Sequence, residues 1–303
     1  MDFKTLEEYR EKYKAKFGKG LRISGIVAGV LAFFIILSAI ASKTYFLIFS
    51  AIFPALFIMA FGYVISFFVA RKEHEAYREA YKTYFVRASL EKVFPGCQYN
   101  HNAGISRNEL AMLGMMSLGD SYSANDFVSG TYKGLNFAQS DVRITEERRD
   151  SDGDSYTVTL FSGRYAIFEF KKNFKFRLEV VGKGFGNYRV PRGTGFKKFS
   201  KIKTESGEFN KKFKVIAEDG FEAFYILDPK FIENVEKLGE MHGFKVALFF
   251  ADNRLNIAID GEKDSFEAPS PFKEIDEKAE FEKIKKDIKV ITNIVDSLRL
   301  EKR

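Results

Sequence analysis

Two long apolar segments near the N-terminus dominate the hydrophobic pattern of the chain. Residues 23–41 are nineteen consecutive positions without a charge, and residues 45–70 are twenty-six more. At about 1.5 Å per helical residue, each segment can cross an apolar layer of about 30 Å. A cleaved signal peptide would not explain the second segment, and a buried hairpin of a soluble protein would contain charges. The pattern predicts a transmembrane hairpin, with helices at Leu21–Ala41 and Tyr45–Ala70.

Residues 1–20, ahead of this hairpin, carry an apolar stripe at near-helical spacing. Its members are Phe3, Leu6, Tyr13 and Phe17. Charged residues fill the positions between them, as in an amphipathic helix that lies in the headgroup layer of a bilayer. A solvated, frayed terminus is the alternative, because a helix of this length is marginal alone.

Residues 71–125, behind the hairpin, are predicted to form a helical stalk and an irregular connector. A helical stripe continues to about Phe94, where Pro95 and Gly96 end it. One short helix is expected near the apolar run Leu110–Met116.

From residue 126 the hydrophobic period changes to two, which predicts an antiparallel sheet. The expected strands are Tyr156–Leu160, Tyr165–Phe170, Phe174–Val180, Phe213–Ala217, Glu222–Leu227, Lys245–Phe250 and Arg254–Ile259. Turns are expected at Ser162–Gly163 and at Asp252–Asn253. A helix capped by Asp228 is expected to begin at Pro229 and to end before Gly239.

The chain closes with a predicted long helix, Phe281–Leu298, whose apolar residues repeat at steps of three and four. This spacing indicates either a coiled coil with a protein partner or a face that packs on the domain's own sheet. The predicted fold class is therefore α+β: an N-terminal two-helix transmembrane hairpin, followed by a cytoplasmic domain, residues 126–303, with a mostly antiparallel sheet and a long C-terminal helix.

The distribution of positive charge predicts the orientation of the hairpin. Residues 1–22 contain seven Lys or Arg and residues 71–92 contain six, whereas the connecting loop contains only Lys43. By the positive-inside bias, both termini are expected in the cytoplasm. The single cysteine, Cys97, cannot form an internal disulfide, which agrees with a reducing compartment but does not require one.

Catalytic and metal-binding signatures are sparse in the sequence. His74, His101 and His242 are far apart, so no zinc site and no cofactor are predicted. Cys97 and His101 are four residues apart after a Pro–Gly break, an unusual arrangement for a nucleophile and its base. The acidic run at residues 150–154 is typical of an exposed turn, because it lacks the terminal Glu of a calcium loop.

One basic segment, residues 171–203, stands out with eleven Lys or Arg against one acid, Glu179. Five glycines and several aromatic residues lie among these cations, which suggests a flexible loop that binds anionic lipid or a phosphate-bearing ligand. The predicted binding residues are Lys183, Arg189, Arg192, Lys197 and Lys198. Single-stranded nucleic acid and a merely solvated strand face are the alternatives.

Several segments resemble an uncharacterised family of bacterial membrane-anchored proteins, domain of unknown function 3137. They are Asp126-Phe127-Val128-Ser129-Gly130 with Tyr132-Lys133-Gly134, Leu160-Phe161-Ser162-Gly163-Arg164, and Phe209–Pro229 followed by Phe231. Two positions depart from the family pattern: Ala223-Phe224-Tyr225 replaces an Ala-Arg-Tyr run, and Asp228-Pro229 replaces Thr-Pro. The resemblance implies the bacterial inner membrane and brings no known activity, catalytic residue or cofactor.

These observations predict a membrane-tethered, non-enzymatic binding or adaptor domain that engages an anionic ligand through the basic segment. An enzyme of unrecognised type acting at the membrane is the second hypothesis. Nucleic-acid binding is the third.

Overall fold

The computed structural model describes residues 2–41, 52–189, 199–261 and 265–300. The helices are α1 (Phe3–Ala41), α2 (Ile52–Val69), α3 (Arg71–Tyr81), a π-helical turn (Lys82–Arg87), α4 (Ala88–Val93), α5 (Arg107–Leu113), α6 (Gly207–Lys212), α7 (Gly220–Ile226), α8 (Pro229–Met241) and α9 (Glu277–Leu298). The strands are β1 (Gln98–Asn100), β2 (Ser121–Tyr132), β3 (Leu135–Arg149), β4 (Ser155–Gly182), β5 (Ser200–Ile202), β6 (Phe213–Ala217) and β7 (Val246–Asp260). The predicted α+β class is confirmed.

The chain divides into two compact units. Unit 1 contains Met1–Ala88 and Glu267–Glu280, and unit 2 contains Ser89–Phe266 and Phe281–Arg303. The four segments expected from the sequence, with boundaries after residues 20, 70 and 125, remain a prediction.

Two helices of unit 1, α1 and α2, are long and apolar enough to cross a membrane. Only 11% of the apolar window of each helix is buried within the protein. Large side chains such as Phe33, Phe53 and Phe57 are more than half exposed. Because a water-soluble surface rarely leaves so large an apolar area uncovered, these helices suggest membrane anchoring. Residues 42–51, which include the start of the predicted second span, lie outside the described residues.

Small residues allow α1 and α2 to approach each other closely. A methyl group added at Gly20 would lie 2.3 Å from Ser66 Oγ, and one added at Gly62 would lie 2.0 Å from Ser24 Oγ. Both serine hydroxyls donate to carbonyls of their own helices, Ser24 to Gly20 and Ser66 to Gly62. Such pairs of small residues are typical of helices that associate in lipid.

The apolar stripe of residues 1–20 packs inside unit 1. Leu6, Tyr13 and Phe17 are at most 3% exposed. The Tyr13 ring lies 5.2 Å from the His74 ring and 5.7 Å from the Phe272 ring. The predicted amphipathic helix is therefore present as the first part of α1, but protein covers its stripe where lipid headgroups were expected.

The predicted helical extension after the second span is confirmed. Only Ala70 separates α2 from α3, and the π-helical turn and α4 carry the helical run on to Val93. Gly96 follows with a φ of 76°, a left-handed conformation that favours glycine and ends helices. The short helix expected in the connector is α5, capped by the Ser106 hydroxyl.

Unit 2 is built around β4. The described strands form one antiparallel sheet in the order β1-β2-β3-β4-β6-β5, and β7 pairs with β4 in addition. One edge of β4 pairs first with β3 and then with β6, while the other edge pairs with β7 from Gly163↔Asp260 to Val181↔Ala247.

Two predicted turns are wrong, because both lie inside long strands. Ser162–Gly163 belongs to β4, where a methyl group on Gly163 would lie 2.0 Å from the Ile259 carbonyl oxygen. This glycine thus permits close pairing with β7 and does not reverse the chain. Asp252–Asn253 belongs to β7, where Asp252 adopts a φ of 53° opposite a shift in the register of β4. The irregularity bends the strand pair without ending it.

The region after β6 is helical where a strand, Glu222–Leu227, was predicted. The Asp219 carboxylate accepts hydrogen bonds from the amides of Phe221 and Glu222 and starts α7. This cap overrides the strand preference of the aromatic residues. The predicted start of the next helix is confirmed, since Asp228 Oδ1 accepts from the Phe231 amide at 2.7 Å and α8 begins at Pro229. The helix continues through Gly239 to Met241, beyond the predicted end.

The apolar stripe of α9 is buried within the protein. Its members Ile284, Ile288, Ile291, Val295 and Leu298 are at most 1% exposed. Of the two alternatives, packing on the domain's own surface is therefore correct. The expected protein partner at Phe281–Leu298 has no free apolar seam to bind.

A buried ion pair connects β4 with its neighbours in unit 2. Arg164 is 2% exposed, and its Nε lies 3.8 Å from Asp141 Oδ1 on β3. Arg164 Nη1 donates to the Asp287 carbonyl at 3.1 Å, and Ser265 Oγ donates to Asp141 Oδ1 at 3.0 Å. Arg164 is the last residue of the family-like segment Leu160-Phe161-Ser162-Gly163-Arg164, and these contacts give it a structural role.

We expect Arg164→Met to lower the free energy of unfolding by about 3–5 kcal/mol, because Asp141 would keep a buried charge without its cation. Denaturation of the full chain in detergent, followed by tyrosine fluorescence, would measure this. Tyrosine is the suitable probe because the chain has 14 Tyr and no Trp.

Lys211→Met provides the control for this prediction. Lys211 pairs with Glu208 at 2.6 Å, but the two side chains are 72% and 69% exposed. Its loss should cost about 0–1 kcal/mol. Equal effects of the two substitutions would contradict the structural role of Arg164.

Candidate functional site

The basic segment predicted as a binding site spans the end of β4, a connection and β5. Of the five predicted residues, Lys183 and Arg189 are described and exposed, whereas Arg192, Lys197 and Lys198 lie outside the described residues. Further exposed cations of the segment are Lys171, Lys172, Lys201 and Lys203. The described part therefore carries a largely exposed positive charge.

The connection after β4 is anchored over Lys183–Arg189, where a flexible loop was expected. The Phe185 side chain is buried in the hydrophobic core at 5% exposure. The Asn187 side chain accepts a hydrogen bond from the Ser117 amide at 3.1 Å and donates one to the Ser117 carbonyl at 2.9 Å. These contacts fix the backbone of this part of the segment.

The first two glycines of the segment have a packing role. A methyl group at Gly182 would lie 2.2 Å from the Phe244 carbonyl oxygen, and one at Gly184 would lie 2.6 Å from the Gly243 carbonyl oxygen. Both positions thus admit a neighbouring backbone, which a side chain would displace. The prediction that these glycines grip a phosphate has no support from this geometry.

Lys183 and Arg189 have different structural neighbours. The Lys183 amide donates to the Lys212 carbonyl at 2.9 Å, whereas the Arg189 amide donates to the Met115 carbonyl at 2.8 Å. Arg189 Nη2 also donates to Ser117 Oγ at 2.8 Å. Nothing in these contacts makes the two side chains converge on a common ligand, so the arrangement suits an extended anionic surface better than a single bound phosphate.

A buried carboxylate lies beneath the basic segment. Glu179 on β4 is fully buried, and its Oε1 accepts from Arg177 Nε at 2.8 Å while its Oε2 accepts from the Tyr188 hydroxyl at 2.7 Å. In the predicted strand Phe174–Val180, Arg177 and Glu179 alternate with apolar residues, which favours a solvent-exposed position for both. Arg177 donates to the Leu113 carbonyl, so the connector covers this face as well. A lone acid among eleven cations was the signal that could have revealed the pair.

Burial raises the pKa of the Glu179 carboxyl above its ordinary value, although the Tyr188 hydrogen bond and the Arg177 charge oppose the change. Burial also raises the pKa of Tyr188, with the Glu179 charge as the next cause. Tyr188 therefore remains a hydrogen-bond donor at physiological pH.

The remaining candidates from the sequence, Cys97 and the acidic run at residues 150–154, make local contacts within the protein. Cys97 Sγ lies 4.0 Å from Glu91 Oε2. The run at residues 150–154 forms the turn between β3 and β4, in which Asp150 Oδ1 accepts from the amides of Asp152 and Asp154. Among the described residues, no cluster of three or more His, Cys, Asp or Glu is placed to bind a metal ion.

A comparison with protein families found a match to the part of the chain that contains most of β4 and everything from there to α9. Residues 159–300 match the family described as "Protein of unknown function (DUF3137)". This confirms the resemblance seen in the sequence over that stretch. The family-like segment at residues 126–134 lies before the match. Within the DUF3137 segment lie Arg164, Glu179 and the whole basic segment.

One solved structure is similar to the chain: that of the mycobacterial trehalose monomycolate transport factor A, TtfA. The similarity covers 73% of this chain and 95% of that chain, at 10% sequence identity and a TM-score of 0.37. A likeness this weak carries no argument about function. A comparison with curated proteins found no match.

We expect the effect of Tyr188→Phe on stability to depend on pH. The substitution leaves one oxygen of Glu179 without its donor, which should cost about 1–3 kcal/mol when the carboxylate is charged. Because the pKa of Glu179 is raised in the folded state, the stability of the protein falls as pH rises from the unfolded-state pKa through the folded-state pKa. In the variant, which lacks the donor to the charged carboxylate, the stability should fall by a larger amount over the same pH range. The loss should thus be larger near pH 8 than near about pH 5.

Unfolding midpoints of the full chain at the two pH values would test this prediction. Tyr156→Phe is the control, because Tyr156 is 49% exposed and should tolerate the change at both pH values. A loss of stability in Tyr188→Phe that does not vary with pH would show that the hydroxyl acts independently of Glu179.

Proposed function

We propose that the protein is a membrane-tethered binding or adaptor protein, whose domain after the two apolar helices lies in the cytoplasm and engages an anionic surface through the basic segment. The exposed apolar surface of α1 and α2 is the observation that carries the tethering. The bacterial inner membrane is the proposed location, because the resemblance to domain of unknown function 3137 implies it.

The asymmetry of charge supports the proposed orientation. Seven cations lie in residues 1–22, before the uncharged part of α1, and six lie between residues 71 and 92, while the connection between the helices has only Lys43. The positive-inside bias places such flanks in the cytoplasm.

The exposed cations support the proposed ligand. Residues 171–203 have a net charge of +10, from eleven Lys or Arg and one Glu. Lys183, Arg189 and the lysines near both ends of the segment are exposed. Each cation near an anionic leaflet contributes about 1 kcal/mol, within a Debye length of about 8 Å at physiological salt. Binding of this kind needs an exposed basic surface and does not need convergent side chains.

The orientation predicts the activity of reporter fusions. A reporter that functions only in the cytoplasm should be active when fused before Met1 and when fused after Arg303. A periplasmic reporter should be inactive at the same positions, and strong activity at either terminus would refute the hairpin topology.

The basic segment predicts a salt-sensitive interaction with lipid. The full chain is the right material, because a fragment from residue 71 onward would lose the packing of Tyr13 on His74 and Phe272. In nanodiscs that contain anionic lipid, amides of residues 183–203 should exchange hydrogen more slowly than in zwitterionic nanodiscs. Raised salt should abolish the difference.

Matched charge variants separate this interaction from a general effect of charge. Lys183→Gln with Arg189→Gln should reduce the protection, because both cations belong to the basic segment. Lys211→Gln with Lys237→Gln removes the same charge from exposed positions elsewhere and should not. The proposal would be rejected if the two double variants showed equal protection from hydrogen exchange in anionic nanodiscs, or if raised salt left the protection unchanged.

A further inference from the structure

A cleft of about 680 Å³ opens in unit 2 away from the Lys183–Arg189 connection. Its walls are Lys172, Asn173, Phe174 and Phe176 of β4, the end of α7, the first two turns of α8, and Arg299 after α9. A volume of this size is within the range of small-molecule sites.

The bend in β4 gives the cleft its apolar wall. The pairing of β4 with β7 shifts register on both sides of Phe174, which faces Asp252 across the two strands. The Phe174 ring packs edge-on against the Phe250 ring, with 5.3 Å between the ring centroids, and this contact helps to hold it in place. Phe176 and Ile226, at 9% and 6% exposure, complete this wall.

Asn234 on α8 is the most informative polar residue of the cleft. It is 6% exposed and lines the cavity, yet its side chain makes no hydrogen bond to any residue within the described ranges. Its amide atoms are not among the enclosed, unpaired polar atoms of the described residues, so they face the open space of the cleft. A molecule bound in the cleft can therefore accept a hydrogen bond from this amide.

Cations surround the opening. Lys172 and Arg299 are exposed, and neither forms an ion pair with a residue that the structure describes. Lys230 also lines the cleft and pairs with Glu233 at 2.7 Å.

Two acids, Glu222 and Asp228, share the lining, but the Asp228 carboxylate caps α8. The lining therefore has more cations, at Lys172, Lys230 and Arg299, than acids, which favours an anion as the ligand.

We infer that this cleft binds a small amphiphilic anion, a molecule with an aliphatic or aromatic body and one carboxylate or phosphate. The body lies against Phe174, Phe176 and Ile226. The anionic group lies near Lys172 and Arg299, where the Asn234 amide donates a hydrogen bond to it. This site is separate from the proposed lipid surface and does not depend on it.

Octanoate is a suitable probe, tested on the full chain in zwitterionic nanodiscs. Hydrogen exchange of peptides that cover residues 172–176 and 222–234 would report occupancy. Octanoate should slow exchange there, whereas octan-1-ol, with the same body and no charge, and acetate, with the charge and no body, should do so much less. Octyl phosphate, compared with inorganic phosphate, tests whether a phosphate replaces the carboxylate.

Two residues of α8 provide a matched control. Lys230 and Lys237 both pair with the Glu233 carboxylate, at 2.7 and 2.6 Å, but only Lys230 lines the cleft. Lys230→Gln should therefore weaken octanoate binding, and Lys237→Gln should not.

Lys172→Gln and Asn234→Leu should each raise the half-saturating octanoate concentration about tenfold, the usual effect of losing one charge-assisted hydrogen bond. Since Lys172 is exposed, its variant remains informative even if Asn234→Leu alters folding. Absence of octanoate protection at these peptides, equal protection by octan-1-ol, or equal affinities of the Lys172, Lys230 and Lys237 variants would overturn the inference.

Discussion

The pairing of β4 with β7 on one edge, and with β3 and β6 on the other, is the constraint on which unit 2 depends. β4 has twenty-eight residues, and most of its positions between 161 and 170 and between 176 and 182 are buried. Polar side chains at those positions need partners inside the protein, because water does not reach them. Arg164 and Glu179 show how this is achieved: each buried charge has an opposite charge within reach and a hydroxyl beside it.

Close backbone approach sets the positions of several glycines in this arrangement. Gly163 faces the carbonyl of Ile259, and Gly182 faces that of Phe244. A glycine-rich sequence with cations resembles a phosphate-binding loop, yet the same residues are needed wherever two backbones meet without room for a side chain. Lys183 and Arg189 are exposed, while Gly182 and Gly184 approach the backbone carbonyls of Phe244 and Gly243. The glycines and the cations that together suggested one site therefore have separate structural roles.

The sequence was most informative where a pattern is long or where a local signal is specific. The apolar runs of α1 and α2, the Asp228 cap of α8 and the stripe of α9 all predicted their helices. The pattern failed at Ser162–Gly163, because a glycine also serves where two strands approach closely, and at Asp252–Asn253, because turn residues also occur at irregularities within strands. It failed at Glu179, because the connector buries a polar face of β4. It failed at the cleft, because β4, α7 and α8 meet there only in the folded chain. Neither contact leaves a pattern in the local sequence.

Two kinds of anion recognition differ in what they demand of a protein. Attraction to a charged bilayer acts over about a Debye length and depends on net exposed charge, so separated cations such as Lys183 and Arg189 are sufficient. Recognition of one small anion demands groups that converge within hydrogen-bond distance and a wall that excludes water. The cleft at Asn234 places cations and an amide beside an apolar wall, whereas the two described cations of the Lys183–Arg189 connection have different neighbours. A protein with both would attach to an anionic membrane in a salt-sensitive way while responding separately to a soluble amphiphile.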